Sequence, residues 1–413
     1  MKKICLFFFL CFLLIPFCLF ADDSIEWAPD DTDTEDSEYS LGFNERAIEV
    51  GIANLNFGLA SNFITLSDIF QEKIVIDLND LEDGLKLNFG FALSPIYFSY
   101  NSKGRWGFSI FTGVDMFGNI GFSGDMLTFS EADDTASDVN AAAFAEIGGS
   151  GFFHVDKFKI KVGSALYYPL IYVKPDTFSY TYSTDPSGTV FWLDYDVLIY
   201  SAFPMDGDFE ITALPGFDLY FGVEYPLSEV LGLKEISTLL DFKVGLDFYN
   251  VPLIPATMSD YMQVKGKVGG PDPVDFFDDA MDMENFLSMD EIMYGKGELT
   301  VYRPFKMLLW AEWRPFDFGL LTFIPILGFS INELYNEPAS FEGGVKARLD
   351  LSNIFLATLG IGYYDRLWMN SLDLSLNLRA FQLDLGVNMQ APELAKSWSG
   401  GGIGLNFGLK FGW

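Results

Sequence analysis

The chain is poor in the residues that build most catalytic and metal sites. Its 413 residues include one histidine and three cysteines. The cysteines all lie in the apolar stretch at the N-terminus, between Ile4 and Phe20. The histidine, His154, therefore has no second histidine and no nearby cysteine with which to form a metal site or a nucleophile–base pair. We predict no metal, no cofactor and no enzymatic activity.

Basic side chains are also scarce. The sequence has 25 Lys and Arg residues against 58 Asp and Glu residues, and its formal net charge is −33 at pH 7. Such acidity opposes binding to nucleic acid and to anionic membrane surfaces. No glycine-rich loop of the strand–loop–helix kind that cradles phosphates occurs either. We therefore predict no nucleic-acid partner.

A long hydrophobic run occurs only at the N-terminus. Two lysines precede the apolar stretch, and a small residue, Ala21, stands where it ends. This pattern is typical of a secretory signal peptide over residues 1–21. A retained membrane anchor and lipidation at Cys18 are the alternatives, although Phe17 is bulky for the position before a lipidated cysteine. Residues 22–41 are acidic and polar, which predicts a disordered tail.

Apolar residues are abundant in the remaining chain, but they alternate with small or polar residues. Half of all residues are hydrophobic and 17% are aromatic. The closing stretch Gly402–Trp413 shows the pattern best, because its large apolar residues fall on one face and glycine, Asn406 and Lys410 fall on the other. A tilted strand of about 9–11 residues spans a bilayer with its apolar face toward lipid. The stretch therefore indicates a transmembrane β-strand.

Many other stretches repeat this alternation and predict an all-β, antiparallel transmembrane barrel. Ser371–Leu378 and Phe381–Gln390 are especially regular, with leucine-rich faces opposite carboxylates, amides and small residues. We count about 16 strands, and fourteen with an N-terminal plug is the alternative. Residues 42–84 form a first strand plus a loop, or a plug in the lumen, and residues 85–413 form the barrel.

The polar faces of the predicted strands supply candidates for the lumen wall. In a membrane barrel, lumen-facing residues alternate with lipid-facing ones and set the selectivity of the pore. We expect six charged residues to line the lumen: Lys86, Arg105, Lys346, Arg348, Asp373 and Asp384.

The longest predicted external loop covers residues 256–296. Within it, Pro271–Met293 has an apolar stripe at helical spacing, formed by Phe276, Ala280, Met283 and Leu287. A helix lined by Met and Phe suits adaptable apolar contacts, so these four residues are candidates for binding a small hydrophobic ligand at the outer mouth. A loop helix packed on the rim is the plainer alternative. A calcium site is a third, but no loop with alternating ligands is recognisable.

The signal peptide, the strand pairs and the aromatic closing strand together resemble Gram-negative outer-membrane β-barrel proteins. Phe407, Phe411 and Trp413 resemble the signal that the barrel-assembly machinery reads in that superfamily. The length, the Gly/Asn-rich block at Gly51–Asn62 and the apolar external segment are similar to the FadL-like transporters of long-chain fatty acids, which have a fourteen-stranded barrel with an N-terminal plug.

This resemblance implies a location in the outer membrane after export, with membrane lipid and the assembly machinery as partners. The function that we expect is a channel or transporter for a small, hydrophobic substrate. A general diffusion porin and a surface-exposed structural or adhesive barrel without transport are the alternatives.

Overall fold

The computed structural model describes residues 46–62, 84–102, 105–122, 138–185, 188–203, 211–232, 241–270, 287–316, 320–335, 337–378 and 380–412. The predicted signal peptide and acidic tail lie outside these residues. So do three of the four residues of the predicted apolar stripe, Phe276, Ala280 and Met283, and also the terminal Trp413.

Seventeen strands form in the described part of the chain, and all of their pairings are antiparallel. The first nine are β1 Ile48–Ser61, β2 Leu85–Asn101, β3 Trp106–Phe122, β4 Asp138–Val155, β5 Phe158–Asp185, β6 Gly188–Ser201, β7 Gly216–Tyr225, β8 Asp241–Ile254 and β9 Ala256–Gly270. The other eight are β10 Leu287–Val301, β11 Phe305–Arg314, β12 Leu321–Ile331, β13 Ala339–Leu351, β14 Phe355–Tyr364, β15 Leu367–Asn377, β16 Phe381–Ala391 and β17 Gly402–Gly412.

Fourteen of these strands close into a ring. Following the pairings from β1, the ring passes through β2, β3, β4, β5, β7 and β8, then β11 to β17, and β17 pairs with β1 again. The predicted antiparallel barrel is confirmed, and the ring has the smaller of the two predicted strand numbers. Closure leaves no unpaired edge in the wall, as a bilayer requires.

The three remaining strands form a branch from the ring. From Ile171 onward, β5 pairs with β6 instead of β7; β6 pairs with β9, and β9 pairs with β10. We call this four-stranded unit, made of Ile171–Asp185 with β6, β9 and β10, the branch sheet. β5 can serve both sheets because it has 28 residues, far more than the 9–11 or so that cross a bilayer.

The branch sheet explains why sixteen was the wrong number for the ring. The alternation in the sequence predicts a wall strand over Thr189–Tyr200 and a separate strand over Thr177–Ser183, whereas these stretches belong to β6 and to the distal part of β5. The sequence also predicts a loop over Ala256–Lys296, whereas much of that segment belongs to the paired strands β9 and β10. The helix predicted over Pro271–Met293 is likewise wrong for its last seven residues, because Leu287–Met293 opens β10. At Leu287 itself only the backbone is described.

The two ends of the ring differ in their connections. One end holds the start of β1, the end of β17 and short turns such as Asp156-Lys157 and Ser352–Ile354. We call it the short-turn end, and the opposite end, which leads into the branch sheet, the long-loop end. In outer-membrane barrels short turns face the periplasm and longer loops face outward.

β1 belongs to the wall, since it pairs with both β2 and β17. Residues 48–61 therefore form the predicted first strand, while residues 63–83 lie outside the described part of the chain. Ala53 adopts a φ of 60° at an irregularity in the β1–β17 register. Such a bulge inserts an extra residue and increases the local bend of the strand.

Two short helices complete the described structure: α1, Leu227–Val230, at the short-turn end, and α2, Leu394–Trp398, at the long-loop end. Neither they nor any other helix among the described residues has the length and apolar character needed to cross a membrane.

Candidate functional site: the lumen of the barrel

The two faces of the wall have opposite character. On β14, for example, Leu359 points outward with 60% of its surface exposed, while its neighbour Thr358 lies between Arg348 and Asp373 on the adjacent strands. Across the ring, leucine, isoleucine, valine and phenylalanine dominate the exposed large residues, and many charged residues are buried inside. An apolar exterior and a polar interior are expected when the solvent outside is lipid.

An apolar cluster lies on the inner side of the barrel toward the long-loop end. It is formed by buried residues of β3, β4, β5, β9 and β10 and of the connections from β6 to β7 and from β12 to β13: Phe117, Ala142, Phe144, Tyr167, Tyr172, Ala202, Ala213, Ala256, Met258, Val301 and Leu334. We call it the mouth cluster. The rings of Phe117 and Phe144 stack at 6.0 Å, and Phe144 meets the ring of Tyr167 edge-on at 5.9 Å.

Tyr167 fastens the base of the branch sheet to this cluster. Its hydroxyl donates a hydrogen bond to the carbonyl oxygen of Val301 at 3.0 Å and accepts one from the backbone N–H of Ala256 at 3.2 Å. Ala256 begins β9 and Val301 ends β10, so the Tyr167 side chain contacts both strands where they leave the ring. The mouth cluster is thereby joined to the branch sheet.

A polar cavity of about 70 Å³ lies next to the mouth cluster. Its charged lining residues are Asp115, Glu146, Asp218, Arg303 and Lys306. We call it the acidic chamber. A space of this size admits a few water molecules.

Arg303 reaches across the lumen into the chamber. It stands between β10 and β11, is 8% exposed, and forms ion pairs with Glu146 on β4 and with Asp218 on β7, the latter with Nε 2.8 Å from Oδ2. Its guanidinium carbon also lies 5.1 Å from the centre of the Tyr167 ring. β4 and β11 are four positions apart around the ring. These contacts therefore narrow the lumen.

A second ionic layer lies closer to the short-turn end. Lys161 pairs with Glu224, and Lys159 and Lys243 approach the same carboxylate at 4.0 and 3.3 Å. Lys243 also lies 3.9 Å from Glu312. Arg314 and Arg348 lie 3.7 and 3.5 Å from Glu312. We call this group of seven residues the lysine layer. Both carboxylates are 2% exposed, and buried carboxylates need such partners to remain charged.

The predicted lumen residues fall into separate places. Arg348 joins the lysine layer, and Lys346 lies two residues before it, on the same face of β13. Lys86 is near the start of β2 at the long-loop end, and its backbone N–H donates a hydrogen bond to Asn62 at 2.7 Å. Arg105 precedes β3 in a turn at the short-turn end and is exposed.

The predicted acidic pair occupies another part of the inner wall. Asp373 on β15 accepts a hydrogen bond from Asn406 at 3.4 Å. Asp384 on β16 accepts one from Ser375 and one from Gln382, the latter at 2.9 Å. Neither carboxylate is part of the acidic chamber.

The closing strand presents its aromatic residues on the outer face. Phe407 and Phe411 are 38% and 39% exposed, in register with Leu385 and Phe381 of β16. That position agrees with the predicted lipid-facing strand. Their reading by the assembly machinery stays a prediction.

The sequence pattern does not point to the chamber. Glu146 falls in a predicted strand over about Asn140–His154, where nothing distinguishes it from its alanine and glycine neighbours. The pattern also predicts one strand over Gly297–Trp313 that includes Arg303, although β10 ends at Val301 and β11 begins at Phe305. Pro304 was an available signal, because proline is rare inside a paired strand.

Within the described part of the chain, no group of three or more His, Cys, Asp or Glu side chains could hold a metal ion. Ring closure, the apolar exterior and the polar lumen define a transmembrane β-barrel of the outer-membrane type.

No family model matches the chain, and no curated protein matches it. Among solved structures, the chain is similar to the toluene transporter TbuX of Ralstonia pickettii, with 9% identity, a TM-score of 0.45, and coverage of 89% of this chain and 90% of that one. It is also similar to the toluene transporter TodX of P. putida, with 9% identity, a TM-score of 0.47, and coverage of 91% and 93%. The translocator domain of the autotransporter NalP from Neisseria meningitidis aligns with 7% identity, a TM-score of 0.31, and coverage of 93% and 91%. At these values the barrel class rests on the strand pairing itself, and membership of a FadL-like family stays a prediction.

Proposed function

We propose that this chain forms an outer-membrane channel for small apolar compounds, which enter at the long-loop end. The mouth cluster is the observation that carries the proposal. A small apolar compound gains from contact with side chains such as Phe144 and Tyr167, because leaving water is favourable by about 25 cal/mol per Å² of apolar surface. Hydrated ions and sugars gain nothing there.

The narrowing of the lumen supports the same function. Arg303 crosses to Glu146 and Asp218 just beyond the mouth cluster. A general diffusion porin needs a continuous water-filled path, and 16–18-stranded porins leave one. A fourteen-stranded ring with side chains paired across it suits selective passage better than free diffusion.

The outer surface supports a proposal about location and assembly. We propose that export places the chain in the outer membrane, with the exposed leucines and phenylalanines against lipid. The aromatic residues Phe407 and Phe411 on the closing strand suit recognition by the barrel-assembly machinery.

The test is transport by the purified protein in phospholipid vesicles. We expect toluene, used as the probe, to equilibrate faster than in protein-free vesicles, and salt to produce little conductance in planar bilayers. A large, salt-proportional current would favour the porin instead. If neither toluene nor salt passes, the alternative of a surface-exposed structural barrel without transport gains support. The branch sheet would then be the part of the chain whose function has to be tested.

A matched pair of variants locates the path. Phe144 is 1% exposed in the mouth cluster, so Phe144→Gln places an amide among apolar side chains. Desolvating that amide against an apolar solute costs about 1–3 kcal/mol, and about 1.4 kcal/mol lost from toluene binding lowers its affinity, and with it the flux, by about ten-fold. The control Phe144→Leu keeps the site apolar and should retain most of the flux. Equal fluxes in both variants would remove the mouth cluster from the path.

A further inference from the structure

The acidic chamber contains more carboxylates than cations. Asp115, Glu146 and Asp218 line it together with Arg303 and Lys306. Lys306 already has two acidic partners of its own, Asp365 at 2.8 Å and Glu342 at 3.9 Å. Among the lining residues, three carboxylates face two cations, and Lys306 is further engaged by carboxylates outside the lining, so the chamber keeps an excess of at least one negative charge.

The geometry of the Arg303 ion pairs leaves hydrogen-bonding capacity unused. Arg303 binds Oε2 of Glu146 and Oδ2 of Asp218. The second oxygen of each carboxylate, Oε1 of Glu146 and Oδ1 of Asp218, is buried and has no hydrogen-bond partner among the residues that the structure describes. Glu146 is 7% exposed and Asp218 is 2% exposed. Buried carboxylate oxygens without donors are costly.

The walls of the chamber suit an organic cation. Phe111, Tyr220 and Tyr249 also line the cavity, and aromatic faces attract ammonium and guanidinium groups. The guanidinium of Arg303, which lies over the ring of Tyr167 between two carboxylates, occupies such a setting already. The carboxylates do not form a metal-binding group.

We propose that the acidic chamber is a binding site for a small organic cation of the ammonium or amidinium class. Arg303 is a tethered cation that fills part of this site. The free ligand donates its N–H groups to Oε1 of Glu146 and Oδ1 of Asp218. Tyr167 belongs to the mouth cluster and also contacts Arg303, so an apolar body attached to the cationic head can reach the mouth cluster.

A cation bound in the chamber would stand in the path of an apolar compound, so the inference deepens the proposed function. What the site means for transport rests on that proposed function. Binding itself does not depend on transport. The two can therefore be tested separately.

The first experiment is calorimetric titration of the purified full-length barrel in detergent with three probes of nearly equal shape. These are benzamidinium, which is cationic, benzamide, which is neutral, and benzoate, which is anionic. Hydrogen bonds to charged groups contribute about 1.5–3 kcal/mol, so benzamidinium should bind at least about ten-fold more tightly than benzamide. Benzoate should not bind. Equal affinities for benzamidinium and benzamide would overturn the proposal.

Variants assign the binding to the chamber. Glu146→Gln removes one carboxylate and should weaken benzamidinium binding by about ten-fold. Arg303→Ala removes the tethered cation and should strengthen it, because the carboxylates are then left without their guanidinium. Glu393→Gln, which removes a half-exposed carboxylate that pairs with Lys396 at α2, outside the chamber, should leave the affinity for benzamidinium unchanged. Unchanged affinity in Glu146→Gln would contradict the assignment.

Folding of each variant is checked by its heat-modifiable migration in gel electrophoresis. If Arg303→Ala does not fold, the probe series on the unmodified protein and the Glu146→Gln titration still decide the question. Benzamidinium binding without toluene passage would leave this site standing while the channel fails. Toluene passage with no preference for benzamidinium over benzamide would support the channel and overturn the cation site.

Discussion

Replacing Leu359 with lysine tests the assignment of the outer face directly. Leu359 is the fifth of the ten residues of β14, which places it near the middle of the membrane, and its side chain is 60% exposed on the outer surface. A lysine at the midplane of a barrel's lipid face costs about 2–4 kcal/mol. A loss of about 2.8 kcal/mol corresponds to a hundred-fold change in the folding equilibrium. Equilibrium unfolding in denaturant with phospholipid vesicles, followed by tryptophan fluorescence, measures it.

The preceding residue provides the control. Thr358 faces the lumen between Arg348 and Asp373, so a lysine there meets one like and one opposite charge in a polar setting. We expect Thr358→Lys to cost less than about 1 kcal/mol, as for charges outside the apolar band. If both lysines cost the same, or if Leu359→Lys costs nothing, the outer face does not contact lipid and the barrel assignment to a membrane is refuted.

Two further predictions concern glycines covered by aromatic rings. A Cβ on Gly245 would lie 2.2 Å from the Trp310 ring, so Gly245→Ala should lower the free energy of unfolding by about 1–3 kcal/mol. At Gly343, the nearest atom to an added Cβ would be a backbone oxygen at 3.3 Å. The control Gly343→Ala should therefore cost clearly less in the same unfolding assay. In the branch sheet, the Tyr261 ring covers Gly295, where a Cβ would lie 2.5 Å away. Tyr261→Ala should therefore speed proteolysis of β10 without altering heat-modifiable migration, and a change in migration instead would mean that the branch sheet supports the ring.

Local alternation was enough to predict the regular part of the wall. The leucine faces of Ser371–Leu378 and Phe381–Gln390 pair as predicted in β15 and β16, because each strand has a lipid side and a lumen side over its whole length. The sequence Asp185-Pro186-Ser187-Gly188 also predicts a turn, and β5 ends at Asp185 while β6 begins at Gly188. Period and turn chemistry are properties of short segments, so they can be read from the sequence.

The branch could not be predicted in the same way. A strand that leaves the ring keeps a period of two, so Gly188–Ser201 looks no different from a wall strand until its partner is known. Its partners are the distal half of β5 and β9, and Tyr200 of β6 is paired with Tyr261 of β9. Strand pairing over such separations depends on the whole sheet. The number of strands in the ring was therefore beyond the sequence pattern.

The acidic chamber was hidden for a related reason. Arg303 is separated from Glu146 by 157 residues and from Asp218 by 85, and no local pattern links them. Each carboxylate alone is an ordinary polar residue on the inner face of a strand. Only ring closure brings them to one guanidinium.

Charge in the lumen changes sign along its length, and this affects different solutes differently. β7 carries Asp218 in the acidic chamber and Glu224 in the lysine layer, where Lys159, Lys161 and Lys243 surround it. An organic cation in the chamber is attracted by the surplus carboxylates and repelled by the lysines beyond. An anion that enters from the short-turn end is attracted by the lysine layer and then repelled by the carboxylates of the acidic chamber. A neutral apolar compound experiences neither of these electrostatic repulsions. The same arrangement therefore favours passage of neutral compounds and retention of cations.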